Sequence, residues 1–188
     1  IIFNNKDVQN INIGNEGVII LNQTPFYGES GGQIGDEGSL FSDKFVFEVN
    51  NTTKIFGSFF LHWGKVVKGI GNIADQVTAS INAEKRNLIR NNHSATHLLH
   101  ESLRQILGNH VTQKGSLVND EKLRFDFSHN NPIDNIDLEK IEKIVNKIIL
   151  QKSSVTAEIL NQQSAIDKGA IALFGEKYED EVRVITMG

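Results

Sequence analysis

Two hydrophobic periodicities divide this chain, and their order constrains its fold more than any other feature. Up to about residue 80, apolar residues come in short runs. Val18 to Leu21 is one. Phe45, Phe47 and Val49 alternate with Val46 and Glu48. Ile55 to Phe60, Trp63 to Val67 and Gln76 to Ile81 follow, with Gly and Asn clusters between them. Short β-branched and aromatic runs separated by turn residues predict strands, and many of them in series predict a small barrel or sandwich. At Asn82 the period changes. Leu88, Ala95, Leu99, Leu103 and Ile106 recur at helical spacing, which predicts a helix over Ala83 to Leu107, capped by Asn82 and stopped at Gly108-Asn109. A hairpin follows, with strands at His110 to Val118 and Lys122 to Ser128 around the turn Asn119-Asp120-Glu121. Leu123, Phe125 and Phe127 then share one face, and Arg124, Asp126 and Ser128 the other. A second helix is expected over Ile136 to Gln151, capped by Asn135, with Ile141, Ile144, Val145, Ile148 and Ile149 as its core stripe. A strand at Val155 to Leu160, a short helix at Gln162 to Lys168 and a strand at Val182 to Thr186 complete an α+β pattern. The expected domains are 1–80 and 81–188.

Composition narrows the function classes. An apolar share of 39% and a charged share of 22% suit an ordinary globular protein. No run is apolar enough to cross a bilayer, and Ile1-Ile2-Phe3-Asn4-Asn5-Lys6 lacks the order of a secretory signal. With Ile at position 1 and Met187 as the only Met, the chain is expected to be a piece of a longer polypeptide. The absence of cysteine excludes disulfides and thiolate metal ligands within these residues and fits a cytoplasmic location. A net charge of −4 excludes a strongly basic nucleic-acid binder. Any RNA contact must rest on a local patch, for which Lys85, Arg86, Arg90, Arg104, Lys114 and Arg124 are the candidates, or on parts of a longer chain.

The most chemical motif is His93-Ser94-Ala95-Thr96-His97. Histidines at i and i+4 share one helix face, about one turn apart, and such a pair can grip one zinc ion or simply be two polar surface residues. The zinc-protease motif needs Glu directly after the first His; Ser94 stands there, so that reading fails. His100 lies roughly 10 Å along the axis from His93 at about 1.5 Å per residue, too far to share an ion, and is expected to be outside the ligand set or at the surface. His62, His110 and His129 are expected at the surface. A second feature is Thr24-Pro25-Phe26-Tyr27-Gly28-Glu29-Ser30-Gly31-Gly32-Gln33-Ile34-Gly35-Asp36-Glu37-Gly38. It has neither the Gly-Lys-Ser/Thr of a phosphate loop nor dinucleotide-fold spacing. It is either a set of tight turns between strands or a surface where backbone N–H groups approach a phosphate or ribose.

The stretches Gln23 to Asp36 and Asn92 to His100, together with Val111-Thr112-Gln113-Lys114-Gly115-Ser116-Leu117-Val118, Leu123-Arg124-Phe125-Asp126-Phe127-Ser128-His129 and Gly169-Ala170-Ile171-Ala172-Leu173-Phe174-Gly175-Glu176-Lys177-Tyr178, resemble the alanyl-tRNA synthetases, in order and over nearly the whole chain. The His motif is also similar to that of threonyl-tRNA synthetase editing domains and free-standing alanyl-tRNA editing proteins. The resemblance implies a small N-terminal β-barrel followed by an α+β editing core, with antiparallel sheet packed on helices. It implies zinc held by His93 and His97 plus a Cys-x-x-x-His pair expected beyond Gly188. ATP and magnesium would belong only to an aminoacylation domain outside this chain. The implied reaction is hydrolysis of seryl- or glycyl-tRNA(Ala) within an enzyme that ligates alanine to tRNA(Ala). Partners would be the tRNA acceptor end and the rest of the parent synthetase, with no membrane and no DNA.

Such a site must accept serine and spare alanine. A hydrogen bond to the serine hydroxyl does this, because alanine leaves the donor or acceptor unpaired. The resemblance puts Thr96 and Gln113 at the pocket, Thr96 reading the hydroxyl and Gln113 orienting water or the ester, with Gly31, Gly32 and Arg124 on the substrate. Neither Thr96 nor Gln113 is a strong base, so zinc is expected either to activate the water or to hold the substrate. Two other readings stand beside this one: an inactive module that only contacts tRNA, and an unrelated zinc hydrolase built from His93, His97 and Asp126.

Overall fold

The computed structural model describes residues 1–170 and 180–187. They form two compact units: Ile1–His93 with Ser116–Arg124, and Ser94–Gly115 with Phe125–Gly188. In the first unit the strands are β1 (Ile2–Phe3), β2 (Lys6–Asp7), β3 (Asn10–Asn12), β4 (Glu16–Ile20), β5 (Gly38–Phe41), β6 (Val46–Ile55), β7 (Phe59–Lys68), β8 (Ile70–Asn72) and β9 (Thr78–Ile81). Seven of them make an antiparallel sheet in the order β2-β1-β4-β7-β6-β5-β9, while β3 pairs with β8. No pairing joins β2 to β9 among the described residues, so this sheet has two edges and the expected closed barrel is not established. The predicted alternation holds where it matters for packing. Phe45, Phe47 and Val49 all point inward and meet Ile11, Ile19, Phe26, Leu40 and Val66 in one core. One expectation fails. Ile55 to Phe60 is not one strand: Ile55 ends β6, Phe59 and Phe60 begin β7, and the turn between them is made by Phe56 and Gly57 at positive φ, with Phe56 exposed to solvent.

The helix α1 (Ala83–Leu107) has the predicted bounds. Asn82 caps it, its Oδ1 accepting from the Lys85 N–H at 3.0 Å. Its buried stripe is Ile89, Thr96, His100 and Leu103 rather than one beginning at Leu88, which is half exposed. The expected periodicity was a fraction of a turn out of phase because Thr96 and His100, both polar, occupy inward positions. The hairpin strands are β10 (Gln113–Val118) and β11 (Leu123–Phe127). Asn119 Oδ1 closes the turn by accepting from the N–H groups of Glu121 and Lys122 at 2.9 and 2.7 Å.

In the second unit Leu103, Val111 and Ile141 form the buried centre, with Leu99, Ile106, Phe125, Phe127 and Ile133 packed on it. The helix α2 (Asn135–Gln151) is capped by Asp134, whose carboxylate accepts from the Asp137 N–H at 2.7 Å; Asn135, expected as the cap, is the first helical residue. Ile149 is half exposed and leaves the stripe predicted for α2. Strands β12 (Thr156–Asn161) and β13 (Glu181–Thr186) pair antiparallel, with α3 (Gln162–Asp167) following β12. Residues 171–178 of the motif that begins at Gly169 lie outside the described residues. Among the described residues no helix is long and apolar enough to cross a membrane.

Candidate functional site

The glycine-rich segment is a loop that the first unit fixes at both ends. Asp36 is buried, and Tyr27 N–H donates to its Oδ2 at 2.6 Å. Arg86 on α1 donates through Nε to Oδ1 at 2.7 Å and to Oδ2 at 2.9 Å, and its Nη2 reaches Oδ2 and, at 3.0 Å, the Pro25 carbonyl. This pairing raises the Arg86 pKa. Between these anchors Gly31 and Gly32 both have positive φ, and Ser30 and Gln33 exchange backbone hydrogen bonds. A side chain at Gly32 would place Cβ 2.5 Å from the Ser116 carbonyl oxygen, so the close approach of this glycine is to β10. Gly31 is exposed with open space around it. The Gly32 carbonyl accepts from Val118 N–H at 2.8 Å, and Ile34 N–H donates to the Val118 carbonyl at 3.1 Å. The tight-turn reading is thus satisfied at Gly32, while the space above Gly31 is available to a ligand.

Gln33, which local sequence marks only as a member of the glycine-rich motif, is buried, and its Oε1 lies 2.7 Å from His93 Nδ1. His93 is half buried, and burial pushes its pKa below the ordinary histidine range of 6.5, which favours the neutral imidazole that a metal requires. His97, one turn further along α1, is exposed and lines an open cleft of about 710 Å³ in the second unit, together with His100, Glu101, Gln105, Glu158 and Met187. Thr96 is buried, Gln113 is exposed at the first residue of β10, and Arg124 is exposed on β11. Among the described residues no group of three or more His, Asp or Glu side chains comes together as a metal cage, so His93, His97 and Asp126 do not form the three-ligand site of an unrelated hydrolase. The two imidazoles His93 and His97, one turn apart on α1, suit zinc as part of a ligand set and do not complete one.

The remaining histidines and cations have other duties than expected. His62 is wholly buried, not a surface residue. Its Nδ1 lies 2.8 Å from the Ile19 carbonyl and its Nε2 2.8 Å from Thr24 Oγ1, and burial lowers its pKa. His100 is also buried, tilted against the Phe125 ring at 5.0 Å. His110 is at the surface as expected and stacks on His129, with Nε2 and Nδ1 2.9 Å apart. Of the basic residues, Lys85 faces Glu37 at 2.6 Å and Asp120 at 3.7 Å, Arg86 faces Asp36, and Arg104 lies 3.8 Å from Glu101. Lys85 and Arg86 are therefore committed to holding the loop. Side-chain contacts spanning 48 to 60 residues carry this arrangement, and no local pattern announces them.

The family model for class II (A) tRNA synthetases matches residues 1–85. The chain is 51% identical over 175 residues to an alanine–tRNA ligase of Chelativorans sp. strain BNC1, covering 93% of this chain and 20% of that protein. It is 49% identical over 183 residues to the alanine–tRNA ligase of Mesorhizobium japonicum, covering 97% of this chain and 21% of the relative. The same identity and length of match relate it to the alanine–tRNA ligase of Nitrobacter winogradskyi, of which 20% is covered. The chain belongs to the alanine–tRNA ligase family. It spans about one fifth of the length of the curated alanine–tRNA ligases it matches, and the stretch it shares with them contains both the glycine-rich loop and the His motif.

Proposed function

We propose that this chain is the editing region of an alanine–tRNA ligase, which hydrolyses the ester of serine or glycine on the acceptor end of tRNA(Ala). The parent enzyme would ligate alanine to tRNA(Ala) with ATP in the cytoplasm. The observation that carries the reading is one turn of α1: His93 and His97 on a single helix face, with Thr96 buried between them and His97 opening to a cleft. His93 and His97 would hold zinc, which when bound supplies a Lewis acid. The other donors would come from residues outside this chain.

The work of selection falls to this chain's own side chains. Thr96 is buried, so a substrate hydroxyl that pairs with its Oγ1 gains a hydrogen bond shielded from water, and a substrate methyl forfeits it. Gln113 stands at the edge of its strand, exposed, where its amide can orient water or the ester carbonyl. Gly31 offers backbone N–H and open space to the terminal ribose or phosphate, Gly32 shapes that turn, and Arg124 supplies positive charge for the acceptor backbone. Because Thr96 distinguishes by one hydrogen bond, Thr96→Val should narrow the ratio of seryl-tRNA to alanyl-tRNA hydrolysis about 5- to 10-fold, for a net bond of about 1 kcal/mol or slightly more. Deacylation rates on both substrates test this. A ratio unchanged by Thr96→Val would remove Thr96 from the site, and equal hydrolysis of both substrates by the unaltered chain would remove the editing function.

A further inference from the structure

The glycine-rich loop has a feature that its turns alone do not require: it carries a buried amide into contact with the first histidine of α1. We propose that Gln33 is the positioning residue of His93, fixing its ring and its Nδ1–H tautomer so that Nε2 is the nitrogen presented to a zinc ion. The proposal rests on reading His93 as a zinc ligand.

The geometry is specific. Gln33 Oε1 lies 2.7 Å from His93 Nδ1, and the glutamine is 6% exposed. An amide oxygen only accepts, so this contact places the proton on Nδ1; in a neutral ring the lone pair is then on Nε2. Histidines that bind metals are commonly held this way, through a hydrogen bond from the nitrogen that is not coordinated. The backbone of Gln33 is itself pinned. Its N–H donates to the Ser30 carbonyl at 3.0 Å, its carbonyl accepts from Ser30 N–H at 3.2 Å, and it bridges to Val118, where the Gly32 carbonyl and Ile34 N–H bond on either side. Gly31 at φ +58 and Gly32 at φ +84 make the turn that brings residue 33 inward, and the Ser116 carbonyl leaves no room for a side chain at Gly32. The Asp36–Arg86 pair then fixes the far end of the loop to the same helix that bears His93. The Gly31-Gly32 turn and the Asp36–Arg86 pair thus hold the loop on either side of the Gln33 amide. A loop needing only tight turns would not have to bury a glutamine, whose long side chain loses rotamer freedom on ordering.

The test is long-range proton–nitrogen NMR of the histidine rings in the intact chain, combined with zinc titration, for the wild type and for Gln33→Leu, Gln33→Asn and Gln33→Glu. The wild-type His93 ring is expected as the Nδ1–H tautomer. Gln33→Leu removes the acceptor, and Gln33→Asn draws it back by one methylene; both should shift His93 toward the Nε2–H form and raise the zinc dissociation constant about 10- to 100-fold. Gln33→Glu keeps an acceptor at the same reach and should retain both the tautomer and zinc affinity within about 3-fold, whereas a merely space-filling role would leave Gln33→Leu as unaffected as Gln33→Glu. A wild-type His93 in the Nε2–H form, or a tautomer indifferent to all three substitutions, would overturn the proposal. A tautomer that switches in Gln33→Asn with zinc affinity unchanged would instead overturn the reading of His93 as a ligand. Should Gln33→Leu fail to fold, Gln33→Asn and Gln33→Glu decide the matter between them.

Discussion

Arg86→Ala should destabilise the first unit by more than any surface ion pair could. The partner carboxylate of Asp36 is 2% exposed and receives hydrogen bonds from Arg86 Nε and Nη2 and from one backbone N–H, that of Tyr27. Removing the guanidinium leaves a buried negative charge with that single donor. Breaking a buried pair from one side costs about 3–5 kcal/mol. Arg86 is a quarter exposed, so water can enter the space it leaves and recover part of that; we expect a loss of about 2–3 kcal/mol. At roughly 2–4 °C per kcal/mol for a chain of this size, the melting temperature should fall by about 4–12 °C. Trp63 is the only tryptophan and lies on β7 of the same unit, so urea unfolding followed by its fluorescence reports this unit directly. Asp36→Asn in the Arg86→Ala background removes the stranded charge and should restore about 1 kcal/mol or more. A loss below about 1 kcal/mol for Arg86→Ala, the range of exposed pairs, would refute the claim that this contact anchors the loop.

Three further outcomes are expected. Gly32→Ala combines a positive φ with a Cβ against the Ser116 carbonyl and should cost more than about 1 kcal/mol, read from the same urea midpoints; a cost near zero would mean the loop does not pack on β10 as described. Burial lowers the pKa of His62 from 6.5, so the unfolded chain takes up a proton first as pH falls; its contribution to stability is complete above about pH 6.5 and is lost progressively below it, toward the folded pKa. Urea midpoints from pH 8 to 5 should therefore fall on the acid side, and less steeply in His62→Gln. Because burial lowers the His93 pKa in the same direction, that slope should shrink in the variant rather than vanish.

Much of the fold can be read locally. The helix α1 declares itself by 25 residues without a breaker, a polar cap and a Gly-Asn stop, and its observed bounds are those of the pattern. Alternation placed Phe45, Phe47 and Val49 in the core. Local reading failed where composition and geometry part. Ile55 to Phe60 is aromatic enough for a strand, yet Phe56 and Gly57 adopt the left-handed conformation of a hairpin turn, a choice made by the register of β6 against β7. Ile89 rather than Leu88 lies on the buried stripe of α1, because the inward positions of the polar Thr96 and His100 disguise its true phase. The candidate site divides in the same way. The His pair was visible as a spacing, but the burial of His62 and His100 and the contact of Gln33 with His93 arise between segments distant in the chain, where no period can register them.

The measurement closest to the central claim is the release of amino acid from seryl-tRNA(Ala) and alanyl-tRNA(Ala) by this chain, with zinc supplied and again after a chelator. The account predicts faster release of serine than of alanine, reduced by chelation and by His97→Ala. Release that ignores the amino acid, or that persists unchanged in His97→Ala after chelation, would contradict it.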